Sequence, residues 1–168
     1  MSAKIKGEIL RKFLVPLLGA ILSLQAWAAE PVLSPDAPQD KPALAATADK
    51  VARMQEAMEP YVQEARKTYP DARARFLKGL PPGHNFFITT RLHDSEGRVE
   101  QVFVAVTSID NGTVHGIIYS PIQTVSGFSF RQAYSFSETE LVDWLIAKPD
   151  GSEEGNVVGK FMDTYEDH

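Results

Sequence analysis

The chain has no cysteine among its 168 residues, which excludes disulfides, thiolate metal sites, a thiol nucleophile and a lipidated N-terminal cysteine. Its histidines, His84, His93, His115 and His168, form no HxH, HxxxH or HExxH spacing, so no metal site is expected. A GxSxG elbow, a phosphate-binding loop and a dinucleotide glycine pattern are all missing, which argues against a serine hydrolase and leaves no cofactor expected. Basic clusters are also lacking: 17 Lys and Arg stand against 22 Asp and Glu, a net charge of −5. Phosphate backbones and anionic lipid repel such a chain, so nucleic acid is not an expected partner. No apolar run reaches the roughly 20 residues that a spanning helix needs.

What is present begins with a leader. Lys4, Lys6, Arg11 and Lys12 precede an apolar run over residues 13–24 that Pro16 and Gly19 weaken. Ala26, Trp27 and Ala28 then give the small-any-small pattern that signal peptidase accepts. Residues 1–28 are therefore expected to be a cleavable signal peptide. Without a twin arginine, the general secretory route is expected, with a periplasmic or extracellular product that keeps no stable membrane span. The leader carries a net charge of +3, so the remainder carries −8, which is read as a solubility device.

Residues 29–48 hold Pro31, Pro35, Pro38 and Pro42 and read as a proline-rich linker. Residues 49–168 then form one domain. With 43% hydrophobic and 23% charged residues overall, the composition is that of an ordinary globular protein, and about 140 residues suffice for one core without staples.

The expected fold class is α+β, with N-terminal helices packed on a twisted, mainly antiparallel sheet of four to five strands. Val51, Met54, Met58, Val62 and Ala65 recur at helical spacing. Pro60 and Pro70 are expected to divide this region into two or three linked helices ending at Gly79. Phe86, Ile88 and Leu92 mark a first strand and Val102, Val104 and Val106 a second. Phe103 and Ala105 on the opposite face suggest cover on both sides. Asn111 and Gly112 signal a type I′ hairpin to a third strand, and residues 128–136 a fourth. Ser137 with Glu140 forms a capping-box pattern. Residues 141–147, LVDWLIA, suit a fifth strand or a helical continuation, and their shortness between turn signals favours strand. The last residues are expected to form a short closing helix with a frayed acidic end.

Ala65, Arg66 and Thr68, then Phe76 and Leu77, Glu100 opening a strand, Gly116 and Pro121 closing a hairpin, and Asp143, Trp144, Gly151 and Gly159 stand in a recognisable order. In these residues the chain resembles the YegJ-like bacterial domains, known as domain of unknown function 2314, over roughly residues 58–164. It departs from that pattern where the family has His and Trp after the strand-opening Glu, here Gln101 and Phe103, and where the family has Asn before the proline, here Ser120. The resemblance implies a fold and a bacterial origin, and carries over no activity.

Two functional classes follow from the residues. The favoured one is a non-catalytic binding or protein-interaction module for a protein, peptide or small ligand in the cell envelope. Phe87, Phe103, Phe128, Phe130, Tyr134 and Trp144 are candidates to line its surface, weighed against the simpler use of aromatics as core. The alternative is a small envelope hydrolase in which Glu100, Asp143 and His115 converge as acid–base groups. Glu100 lies on the same strand face as Val102, an unusual place for a carboxylate, unless it stays at the rim or pairs with Arg91 across the hairpin. The leader assignment makes a direct prediction: mass spectrometry of the exported protein should find an N-terminus at Ala29, and an intact Met1 in the membrane fraction would refute it.

Overall fold

The computed structural model describes residues 48–165. The expected signal peptide, its cleavage site, all but the last residue of the linker and the acidic C-terminal end lie outside the described residues. In chain order the elements are α1 (Ala48–Lys78), β1 (Asn85–His93), β2 (Val99–Asp110), β3 (Thr113–Ile118), β4 (Ala133–Ser137), a 3₁₀ turn (Glu138–Glu140), β5 (Asp143–Ala147), β6 (Glu153–Gly155) and α2 (Val157–Thr164). The strands form one antiparallel sheet in the order β4-β3-β2-β1-β5-β6. The α+β class is as the sequence predicts, but the sheet has six strands rather than four to five.

The helical region differs from expectation. One helix of 31 residues runs through both Pro60 and Pro70. Each proline is exposed, so the backbone carbonyl it strips of a partner lies on the solvent side, where water replaces the lost bond. The apolar stripe passes both prolines unbroken, with Met58, Val62, Ala65, Tyr69 and Ala72 buried at spacings of four and three. Gly79, at φ 94°, ends the helix with its N–H on the Phe76 carbonyl at 3.0 Å.

Ala65, Tyr69 and Ala72 pack on one sheet face against Phe86, Ile88 and Leu92 of β1, Val102 and Val104 of β2, and Trp144 and Ile146 of β5. Beside this core, α2 joins α1: Val158 packs with Met58, Val62 and Val142, and Tyr61 stacks on Phe161 at 4.2 Å. The other sheet face carries Phe87, Phe103, Ala105, Leu145 and Ala147, with Tyr119 at their margin. Among the described residues neither helix contributes to that cluster.

The hairpin signals are realised as expected. Asn111 and Gly112 adopt φ 48° and 77° between β2 and β3, and the register slips at Val106/Ser108, a bulge. Residues 141–147 contain a strand, not a helix, and Ser137 closes the capping box with Glu140. The fourth strand starts later than residue 128, because residues 129–132 close a turn, with Arg131 at φ 68° and Gln132 N–H on the Ser129 carbonyl. The short β6, which the sequence reading omits, pairs with β5 through Gly155 (φ 78°). A Cβ there would collide with the Trp144 carbonyl and ring.

Trp144 is 7% exposed. Its indole Nε1 donates to the Ala65 carbonyl and to Thr68 Oγ1, both at 3.1 Å. Replacing Trp144 by Ala should cost about 3–5 kcal/mol in urea unfolding. Replacement by Phe, which retains most of the packing and loses the hydrogen bonds, should cost about 1–2 kcal/mol. A Trp144→Ala loss below about 1 kcal/mol would contradict this placement.

Candidate functional site

Glu100 stands opposite Leu92 in the β1–β2 ladder and so shares the face of Val102 and Val104. Its carboxylate is half-buried and accepts three backbone N–H groups from the loop after β3: Gln123 at 2.8 Å on Oε1, Thr124 at 2.7 Å and Val125 at 3.0 Å on Oε2. The alternative pairing with Arg91 does not occur, because Arg91 stands opposite Gln101 and faces the other way. Asp94, which no motif in the sequence singles out, continues the same clasp. Its Oδ2 takes Ser126 N–H at 3.0 Å and Arg98 Nε at 2.7 Å, while Oδ1 takes the N–H groups of Glu96 and Arg98. The Ser126 amide, with Arg98 adding to it, holds the Asp94 carboxyl well below the usual carboxylate range. The only sequence signal for this was an Asp two residues before a Glu-Gly turn, where an Asx turn is common.

Asp143 faces the opposite side of the sheet, level with Thr89, and is 1% exposed. Its Oδ1 accepts Trp144 N–H at 2.8 Å and its Oδ2 accepts Val158 N–H at 2.7 Å. Asn156 precedes α2 in the left-handed region and offers no side-chain cap, so Asp143 supplies from β5 the anion that the helix N-terminus favours. Burial pushes the Asp143 pKa up to about 6, against the opposing pull of the amides of Trp144, Val158, Gly159 and Val157.

His115 is half-buried on the same side as Asp143, with Nδ1 at 2.8 Å from Ser135 Oγ. The order β5-β1-β2-β3 puts three strand spacings between Asp143 and His115, about 14 Å sideways. They are further offset along β2, where Asp143 is level with Phe103 and His115 with Ser108, and Glu100 lies on the other face. The three acid–base candidates therefore do not meet.

The aromatic candidates divide. Phe87 and Phe103 are buried on the second sheet face at 0% and 4% exposure, and Trp144 in the main core. Tyr134 and Phe128 pack at the edge of that core, ring edge to face at 5.9 Å. Phe130, 49% exposed, leans on Tyr119 at 5.7 Å, and Tyr119 in turn on Phe87 at 5.5 Å.

An open depression of about 460 Å³ lies elsewhere, between α1 and the 3₁₀ turn, lined by Arg66, Tyr69, Pro70, Arg73, Glu138, Thr139 and Leu141. Arg73 Nε donates to Glu138 Oε1 at 2.6 Å and Tyr69 OH to the same oxygen at 2.5 Å. Burial, reinforced by Glu138, pushes the Tyr69 phenol well above its ordinary range. Arg66 Nε donates to the Leu141 carbonyl at 3.1 Å. These contacts join residues 65 to 75 positions apart, a separation that no local pattern announces. The ring of capping residues Ser137 and Glu140 was visible, but not the helix that leans over it.

Among the described residues no group of three or more His, Asp or Glu side chains could hold a metal ion, and no helix is long and apolar enough to cross a membrane. Comparison with family models, with curated proteins and with solved structures finds no match.

Asp143 generates a pH prediction. Its folded pKa of about 6 lies above its ordinary 3.8, so between these values the folded chain holds a proton that the unfolded chain has released. The Asp143 contribution is thus most favourable below about pH 4 and is lost as pH rises through 6, a change of about 3 kcal/mol. Urea unfolding from pH 4 to 7 should show this fall in the native protein and a flatter course in Asp143→Asn. Parallel slopes would contradict it.

Proposed function

We propose that the chain is an exported, non-catalytic binding or protein-interaction module of the cell envelope, periplasmic or extracellular, and that its binding surface is the depression between α1 and the 3₁₀ turn. The resemblance to YegJ-like domains is part of the same proposal and rests on the residues quoted for it. One observation carries the reading: the best acid–base candidates are engaged in holding the fold. Glu100 clasps a loop, Asp143 caps α2 and His115 bonds Ser135; Glu100 lies on the opposite side of the sheet from the other two, which are strands apart. The depression, by contrast, is open and contains no histidine or carboxylate pair.

This arrangement favours recognition over turnover, because acid–base catalysis needs its groups within hydrogen-bond reach of one reacting centre. Apolar walls with a few fixed polar groups are what a binding site needs. The aromatic surface expected from the sequence is reduced to Phe130 and the half-buried Tyr119, with Phe87 and Phe103 buried beneath.

A photo-crosslinking side chain at Thr139, which is exposed in the depression, should give a discrete adduct in intact cells. The same probe at Ser135, exposed on the other side, should give none. The recovered protein should hydrolyse ester, peptide and glycoside panels no faster than buffer. Turnover that His115→Ala abolishes would replace this reading with the hydrolase alternative.

A further inference from the structure

We infer that the depression between α1 and the 3₁₀ turn binds an oxyanion, a carboxylate or phosphate group carried on an apolar body, with Arg66 as the anchoring residue. This inference rests on the binding-module reading and names the ligand class of the same site.

The two arginines of the depression are in different electrostatic states. Arg73 is matched to Glu138, whose Oε1 also receives the Tyr69 hydroxyl. That charge is neutralised where it stands. Arg66 has only the neutral Leu141 carbonyl, reached through Nε, and forms no ion pair among the described residues. Arg66 is exposed and its two terminal nitrogens make no hydrogen bond among the described residues, so the charged fork is held at its base and has no protein partner at its tip.

A guanidinium held in this way is suited to a planar or tetrahedral oxyanion, which takes two parallel N–H bonds from the fork. Anchoring through Nε removes part of the side-chain entropy that would otherwise be lost on binding. The depression as a whole carries one positive charge, since Glu138 offsets one of its two arginines, within a chain of net charge −5. It is therefore a local exception to a field that repels anions. The adjoining walls, Tyr69, Pro70 and Leu141, offer apolar surface, which suits a ligand with a hydrophobic body behind its charged group. Glu138 disfavours an anion at the Arg73 end and leaves the Arg66 end as the seat.

The test is an NMR titration of the protein recovered from cells with benzoate, with inorganic phosphate and with neutral benzamide. Benzoate or phosphate should shift amides at residues 66–73 and 138–141, and benzamide should bind at least tenfold more weakly. Shifts with benzoate alone assign the site to carboxylates; shifts with phosphate alone assign it to phosphates. Arg66→Gln, which keeps an N–H donor near the Leu141 carbonyl, should weaken binding at least tenfold, and Arg66→Lys should lose less. Lys67→Gln, the same charge change at a neighbouring residue outside the depression, should leave binding unchanged. The inference is overturned if neither anion shifts these amides, if benzamide binds equally, or if Lys67→Gln and Arg66→Gln have equal effects. A persistent Thr139 adduct alongside any of those results would overturn the anion assignment alone and leave the module reading standing.

Discussion

The indole of Trp144 decides how the long helix lies on the sheet. Its Nε1 reaches a main-chain carbonyl and a hydroxyl on α1, an approach possible only because Ala65 and Ala72 leave the helix surface low at that point. A helix with an apolar stripe can roll on a sheet by tens of degrees at little cost in burial. A buried donor that must find its acceptor cannot. With the roll fixed, Arg66 and Arg73, which flank the stripe, lean over residues 138–141. The depression is a consequence of this anchor.

The second feature of the fold is the use it makes of its acidic residues. Glu100 and Asp94 together accept the amides of four successive loop residues, 123–126. Asp143 accepts the start of α2, and Glu138 binds Tyr69 and Arg73. A loop that turns its amides toward a charged acceptor is ordered without strand pairing, since charge-assisted bonds exceed neutral ones in strength. Composition suggested that the negative charge serves solubility. For these four carboxylates it serves the interior and the loops.

Local regularities were legible in the sequence. The alternation of β1 and β2, the Asn111-Gly112 turn, the Ser137–Glu140 box and the strand character of residues 141–147 are written in neighbouring residues, where pattern and geometry are linked directly. Glu100 stood out correctly as an odd carboxylate on an apolar face, but its partners are amides 23 to 25 residues away, and amides carry no side-chain signature. The prolines misled because a rule about helix interiors omits which side faces water. β6 escaped because three residues ending in glycine carry no period. Arg66 and Glu138 are ordinary surface residues until the tertiary fold brings their elements together.

The crossing from β4 to β5 sets a limit of a different kind. Residues 138–142 must carry the chain past β3, β2 and β1, from Ser137, level with Asp110 of β2, to Asp143, level with Phe103. Four strand spacings sideways combined with that offset along β2 make about 30 Å if the strands lay flat. Three of those residues are spent in a 3₁₀ turn, which advances only about 2 Å each, leaving a reach of roughly 16 Å. A flat sheet would be out of range, so the sheet must curl toward the side on which the crossing runs, and Leu141, buried among the core residues of that side, identifies it as the concave one. Curvature here is imposed by the length of one short connection. Glu138, Thr139 and Leu141 sit on that drawn segment, which gives the rim of the depression little slack with which to adjust its shape.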